Sequence, residues 1–162
     1  MSAGKGREMK KSLEYWVAPA LRNRGFTGKF PVLSRTRGAQ LDVVELQFTK
    51  YGGGFRMNLG VCPAGGLTTK WGQFVQPGEA TTAHEMDRRY FLSPFQLSEG
   101  RTKAQWFEFT SENTDQVAQD FLANVETVDR WFLTGEAPRA KTRPKSRGGP
   151  IHQFVMRLLR PR

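Results

Sequence analysis

The sequence predicts an α+β fold: an antiparallel sheet of about five strands flanked by two amphipathic helices, followed by a basic C-terminal tail with a short helix of its own. Three observations carry this prediction. Apolar residues recur every four positions near the N-terminus, every second position through the middle of the chain, and again at helical spacing after the last strand-like run. With 162 residues, 38% of them hydrophobic and 12% aromatic, the chain has material for one core and too much apolar content to stay unfolded. Residues 1–135 are therefore expected to form a single domain, 136–150 a Pro/Gly-rich basic linker, and 151–162 a short amphipathic basic helix.

Between Arg7 and Arg24, Met9, Leu13, Val17 and Leu21 form the stripe of a helix, with Trp16 and Ala20 beside it. Pro19 removes a backbone donor inside that run and predicts a kink or break. Gly25 supplies the left-handed residue that ends a helix, and Phe26 can fold back onto the last turn. Phe30, Val32 and Leu33 open a short strand that Pro31 restricts to a sheet edge.

A longer strand is expected over 39–50. Its apolar set moves from Leu41 and Val43 to Val44, Leu46 and Phe48, a one-residue shift that predicts a β-bulge near Val43 and Val44. Gly52, Gly53 and Gly54 tolerate the positive φ of a tight connection, and Phe55, Met57, Leu59 and Val61 then alternate with Arg56, Asn58, Gly60 and Cys62. This is a hairpin with one apolar face. Pro63 ends it, and 64–82 reads as a long loop around Trp71 and Phe74.

Short strands follow at 89–92 and 105–109, and then the clearest helix of the chain. Asn113 or Thr114 caps it, Asp115 suits its first turn, and Val117, Phe121, Val125, Val128 and Phe132 line one face until Gly135. In the tail, Ile151, Phe154, Val155, Leu158 and Leu159 repeat at helical spacing, a stripe that can dock on the chain's own sheet, the favoured reading, bind a partner groove or lie on an anionic surface.

The order of Arg24-Gly25-Phe26, Val44-Glu45-Leu46-Gln47-Phe48 and Phe55-Arg56-Met57-Asn58-Leu59-Gly60-Val61 resembles the bacterial domain of unknown function family 4304. The resemblance runs from about Leu13 to Phe132 and leaves the tail outside. It implies a compact bacterial cytoplasmic α+β domain, with no assigned reaction and no catalytic residues to carry over.

The residues themselves offer little chemistry. No run of 18 apolar residues spans a membrane, and the polar, basic start of the chain lacks the apolar stretch of a secretion signal, so a cytoplasmic location is expected. No cofactor or metal site is expected: His84, His152 and Cys62 are far apart, and in His84-Glu85-Met86-Asp87-Arg88 an arginine stands where a zinc-protease helix needs its second histidine. Cys62 is read as a buried structural thiol, although pairing with His84 is conceivable. Glu45, Glu108, Glu112 and Asp115 are carboxylates that strand pairing could bring together, with Glu45 and Glu108 expected on polar strand sides. Asn58 and Gly60 are expected to face away from the core.

Charge is the strongest signal. The net charge is +10, and 136–162 holds eight Lys or Arg against the single acid Glu136, a net +7, while the other 135 residues carry only +3. The chain therefore reads as a non-enzymatic binding module that engages nucleic acid or an acidic protein through Arg139, Lys141, Arg143, Lys145, Arg147, Arg157 and Arg160. Tyr51, Phe55, Trp71 and Phe74 are aromatics available to stack on bases. Two competing readings are a protein-interaction role of immunity or antitoxin type, and an unrecognised enzyme. The enzyme reading places a pocket under the 64–82 loop, with Glu45, Asn58, His84, Trp71 and Phe74 around it.

Overall fold

A computed structural model describes residues 2–76, 83, 86, 88–92 and 106–136. Helix α1 spans Ser2–Trp16 and α2 spans Ala18–Arg22. The expected break falls at Val17, two residues before Pro19, which occupies the first turn of α2 where its missing N–H costs nothing. Helix α1 starts seven residues before Met9, the first residue of the apolar stripe, and the polar residues of its first turns left that start unmarked in the pattern. Gly25 closes α2 with φ of 89°, and Phe26 N–H reaches back to Leu21 O at 3.2 Å.

The main sheet holds β1 (Val32–Arg37), β2 (Gln40–Phe48), β3 (Gly54–Cys62), β6 (Arg88–Leu92) and β7 (Phe107–Glu108). All pairings are antiparallel, in the order β1-β2-β3-β6, with β7 pairing β3 beyond the end of β6. Strand β1 begins directly after Pro31 and lies at the edge, as proline requires. Helices α3 (Thr114–Phe121) and α4 (Val125–Thr134) follow the sheet, joined by a 3-10 turn at Leu122–Asn124. The helical stripe read from Val117 to Phe132 is thus two segments, with buried Asn124 donating to Phe121 O at 3.2 Å inside the joint. Asn113 precedes α3, but its side chain accepts from Thr110 N–H at 2.7 Å instead of capping forward. Gly135 ends α4 with φ of 75°.

All four helices cover one face of the sheet. Met9, Leu13, Val17 and Leu21 meet Leu33, Val44, Leu46, Phe55, Met57, Leu59 and Val61 and the α3–α4 residues Phe121, Val125, Val128 and Phe132. Phe55 is central, with ring centroids 5.3 Å from both Phe107 and Phe121.

No bulge exists at Val43 and Val44. Strand β2 runs in unbroken register against both neighbours, from Leu41 opposite Cys62 to Phe48 opposite Phe55, and from Glu45 opposite Val32 to Gln40 opposite Arg37. Two features imitate a phase shift. Leu41 and Val43 point to the other face, where they form a second apolar cluster with Cys62, Leu67, Val75, Ala83 and Met86. Asp42 occupies the helix-facing slot that an apolar residue would otherwise fill. The cover over Leu41 and Val43 includes a two-stranded hairpin, β4 (Leu67–Thr68) with β5 (Phe74–Val75), inside what reads as an unstructured loop. Gly60 permits the close approach of that cover: a Cβ there would lie 2.9 Å from Ala83 Cα.

Asp42 is wholly buried and saturated. Arg35 Nη2 and Arg37 Nε each donate to Oδ2 at 3.0 Å, while Arg37 Nη2 and Gln40 Nε2 donate to Oδ1 at 3.3 and 3.2 Å. Arg35 also donates to Asp129 Oδ1 on α4 at 2.7 Å and to Arg24 O at 3.0 Å, with its guanidinium 4.4 Å from the Phe26 ring. Arg37 and Arg88 donate to the last carbonyls of α4, Phe132 O at 2.7 Å and Trp131 O at 3.2 Å, where cations suit the helix dipole.

Removing one member of a buried ion network strands the other's charge, so Asp42→Ala is expected to cost about 3 to 5 kcal/mol. Urea unfolding followed by circular dichroism measures it, and a loss below about 1 kcal/mol would contradict the role given to this carboxylate.

Candidate functional site

Two regions of the described body have chemistry at the surface or a polar group without a partner. The first is the sheet face opposite the helices, where cross-strand register gathers the polar residues of β2 and β3. Glu45 lies directly opposite Asn58, and Gln47 opposite Arg56. Arg56 Nε and Asn58 Nδ2 both donate to Gln47 Oε1, at 3.0 and 3.1 Å. An arginine Nε can only donate, so the Gln47 atom is oxygen and the Asn58 atom facing it is nitrogen. Asn58 Oδ1 is then left buried without a hydrogen-bond partner among the described residues. Asn58 does face away from the helices, but it is fully buried because the second side of the sheet is covered too.

Arg56 lies between two aromatic planes, its guanidinium 4.4 Å from the Phe91 ring and 4.6 Å from the Trp106 ring. Burial lowers its pKa from the ordinary arginine range, and the nearby Glu45 carboxylate partly offsets that. Glu45 and Asn58, two of the residues singled out for a pocket, are therefore neighbours. His84 lies outside the described residues. Trp71 and Phe74 are 67% and 55% exposed, on the β4–β5 hairpin. Thr69 anchors that tip, accepting from Gly72 and Gln73 N–H and donating its own N–H to Gln73 O.

The other carboxylates do not join Glu45. Glu108 is exposed on β7, Glu112 accepts from Thr110 Oγ1 at 3.5 Å, and Asp115 holds α3 to α1 by accepting from Ser12 Oγ at 2.7 Å and Trp16 Nε1 at 3.3 Å. Among the described residues, no group of three His, Cys, Asp or Glu converges to hold a metal ion. Cys62 is buried in the second cluster, its Sγ 3.7 Å from Pro63 O.

The second region is a groove of about 390 Å³ between the N-terminal half of α1 and the β2–β3 turn. Arg7, Lys10 and Lys50 supply its charge, Phe48 and Thr49 part of its wall, and Gly6 and Gly52 places where backbone is uncovered. Ion pairs occupy Lys11, Arg24, Arg35, Arg37 and Arg130 elsewhere in the body, but the three groove cations have no ion pair among the described residues. Three like charges around one depression create a positive potential that an anion would relieve. Sequence reasoning missed this groove, because 40 residues separate Lys10 from Lys50 and nothing along the chain brings the basic start of the sequence to the Gly52 turn. Of the aromatics read as base-stacking groups, Phe55 is fully buried core, while Tyr51, Trp71 and Phe74 are exposed. The tail cations Arg139, Lys141, Arg143, Lys145, Arg147, Arg157 and Arg160 lie outside the described residues, as does the amphipathic stripe from Ile151 to Leu159.

A single α+β body with a covered antiparallel sheet and a cationic groove is the class of protein that fold and surface define. Residues 17–135 match the domain of unknown function DUF4304, and the chain belongs to that family. No curated protein and no solved structure matches it. No helix among the described residues is long and apolar enough to cross a membrane.

Burial raises the Cys62 pKa above its ordinary value. The folded protein thus holds the thiol protonated at pH values where the unfolded chain ionises, and this contribution to stability is present below the unfolded pKa and fades as pH rises past it. The native thiol is expected to react with Ellman's reagent at pH 8 at least ten times more slowly than the urea-unfolded chain. Equal rates would show that the thiol is accessible and not held back by burial.

Proposed function

We propose that this chain is a non-enzymatic binding module for polyanions, with nucleic acid as the partner. The observation that carries the reading is the set of three cations, Arg7, Lys10 and Lys50, that have no ion pair among the described residues and stand around one groove of a body whose interior arginines are engaged with its own carboxylates and carbonyls. The +7 charge of 136–162 supports it from the sequence. In this reading Arg139, Lys141, Arg143, Lys145 and Arg147 add phosphate contacts to those of the groove, and Arg157 and Arg160 extend them.

Phosphate neutralisation releases condensed counterions, so affinity should fall steeply with salt. Substituting Arg7, Lys10 and Lys50 together by Gln is expected to lower the slope of log K against log salt by roughly 2 units on single-stranded nucleic acid, at about 0.7 per contact. Neutralising the five tail cations from Arg139 to Lys145 and Arg147 should lower it by roughly 3 to 4 units. Fluorescence anisotropy over a salt series reads both. Failure of the unaltered chain to bind DNA or RNA at low salt would overturn the proposal. Binding instead to an acidic polypeptide such as polyglutamate would assign the charge to a protein partner.

A further inference from the structure

The turn beside the groove carries a side chain that is not part of the groove wall and that phosphate contacts do not use. Tyr51 stands between two of its lining residues, Lys50 and Gly52, and is 81% exposed, the most exposed large apolar side chain of the described body. The Lys50 ammonium sits 5.6 Å from the Tyr51 ring centroid. An exposed aromatic on a floppy loop would mean little, but this turn is held at several points. Thr49 N–H donates to Gly54 O at 2.9 Å, Gly52 N–H to Thr49 O at 3.1 Å, Thr49 Oγ1 to Gly52 O at 2.8 Å, and Phe109 N–H to Gly53 O at 3.0 Å.

Gly52 and Gly53 adopt φ of 79° and 82°, a backbone path that side-chain-bearing residues rarely take. The turn is thereby locked beside the cations, and Tyr51 projects from it with only two torsions to immobilise on binding. A flat apolar face next to backbone-seeking cations is the pairing that single strands require, since their bases are unstacked and available, whereas duplex bases are already stacked on one another.

We propose that the groove selects single-stranded over double-stranded nucleic acid, with Tyr51 stacking on a base while Arg7, Lys10 and Lys50 engage the flanking phosphates. This rests on the polyanion reading above and specifies its ligand. Trp71 is a second exposed aromatic, but it belongs to the hairpin beyond the far end of β3, about 30 Å along a nine-residue strand, and neither of its chain neighbours lines the groove, whereas both neighbours of Tyr51 do. It serves as the comparison.

The full chain and its Tyr51→Ala, Tyr51→Trp and Trp71→Ala variants would be titrated by anisotropy against a labelled 20-nucleotide single strand and the duplex of the same sequence, at three salt concentrations. The unaltered chain is expected to bind the single strand more tightly. Tyr51→Ala should weaken single-strand binding on the order of 5- to 150-fold, the range for losing one stacked base, with the salt slope and duplex affinity unchanged. Tyr51→Trp should restore it. Because Tyr51 is exposed, thermal unfolding of Tyr51→Ala should match the parent, which separates a lost contact from a lost fold. Equal or tighter duplex binding, an equal loss on both ligands, or a loss that follows Trp71→Ala and not Tyr51→Ala would each overturn the stacking role and leave the polyanion reading intact. Absence of any nucleic-acid binding by the unaltered chain would overturn both.

Discussion

The fold depends on a buried carboxylate. Asp42 occupies a buried, helix-facing position on β2 beside the edge strand β1, a place where an unpaired charge would cost several kcal/mol, and it is tolerable there because two arginines and a glutamine saturate both of its oxygens. The arginines come from the edge strand β1 and continue outward: Arg35 to Asp129 and Arg24 O, Arg37 to Phe132 O. One acid thus ties two strands to α4 and to the end of α2. Its network performs at the sheet edge what apolar packing performs at the centre, where Phe55 meets Phe107, Phe109 and Phe121.

That arrangement sets the arginines it engages apart from the cations of the groove, and Lys5, Lys29 and Lys70 belong to neither set. Arg24, Arg35, Arg37 and Arg88 are bound to the protein's own carboxylates or helix carbonyls, so their formal charge is not available to an outside anion. Arg7, Lys10 and Lys50 are left around a groove with a rigid glycine turn on one side and a helix on the other. A net charge summed over the chain cannot distinguish these sets, and the distinction decides where a polyanion would touch.

The sheet is also less one-sided than an alternating antiparallel sheet usually is. Its second face carries a small apolar cluster at one end and the linked Gln47, Arg56 and Asn58 further along. Gly60 lies between them, and its missing side chain admits Ala83 and Met86 against the strand. The buried Asn58 Oδ1, its orientation forced by Gln47, has no hydrogen-bond partner among the described residues.

Local patterning determined the elements of this protein. Four-residue spacing from Met9 to Leu21, alternation from Phe55 to Val61, Pro19 as a break, Pro31 as an edge marker, and Gly25 and Gly135 as helix stops all depend on neighbours within a few positions, and each was legible. The β2 phase, the hairpin under Leu67 and Val75, the joint at Leu122–Asn124 and the cationic groove were not. Leu41 and Val43 read as a phase shift because alternation reports that residues share a face without reporting whether the opposite face is covered. Lys10 and Lys50, or Arg35 and Asp129 94 positions apart, carry no mutual signal along the chain. Which charges neutralise one another, and which remain for a ligand, was decided only when tertiary packing brought distant segments within hydrogen-bond distance, because electrostatic pairing depends on separation in space.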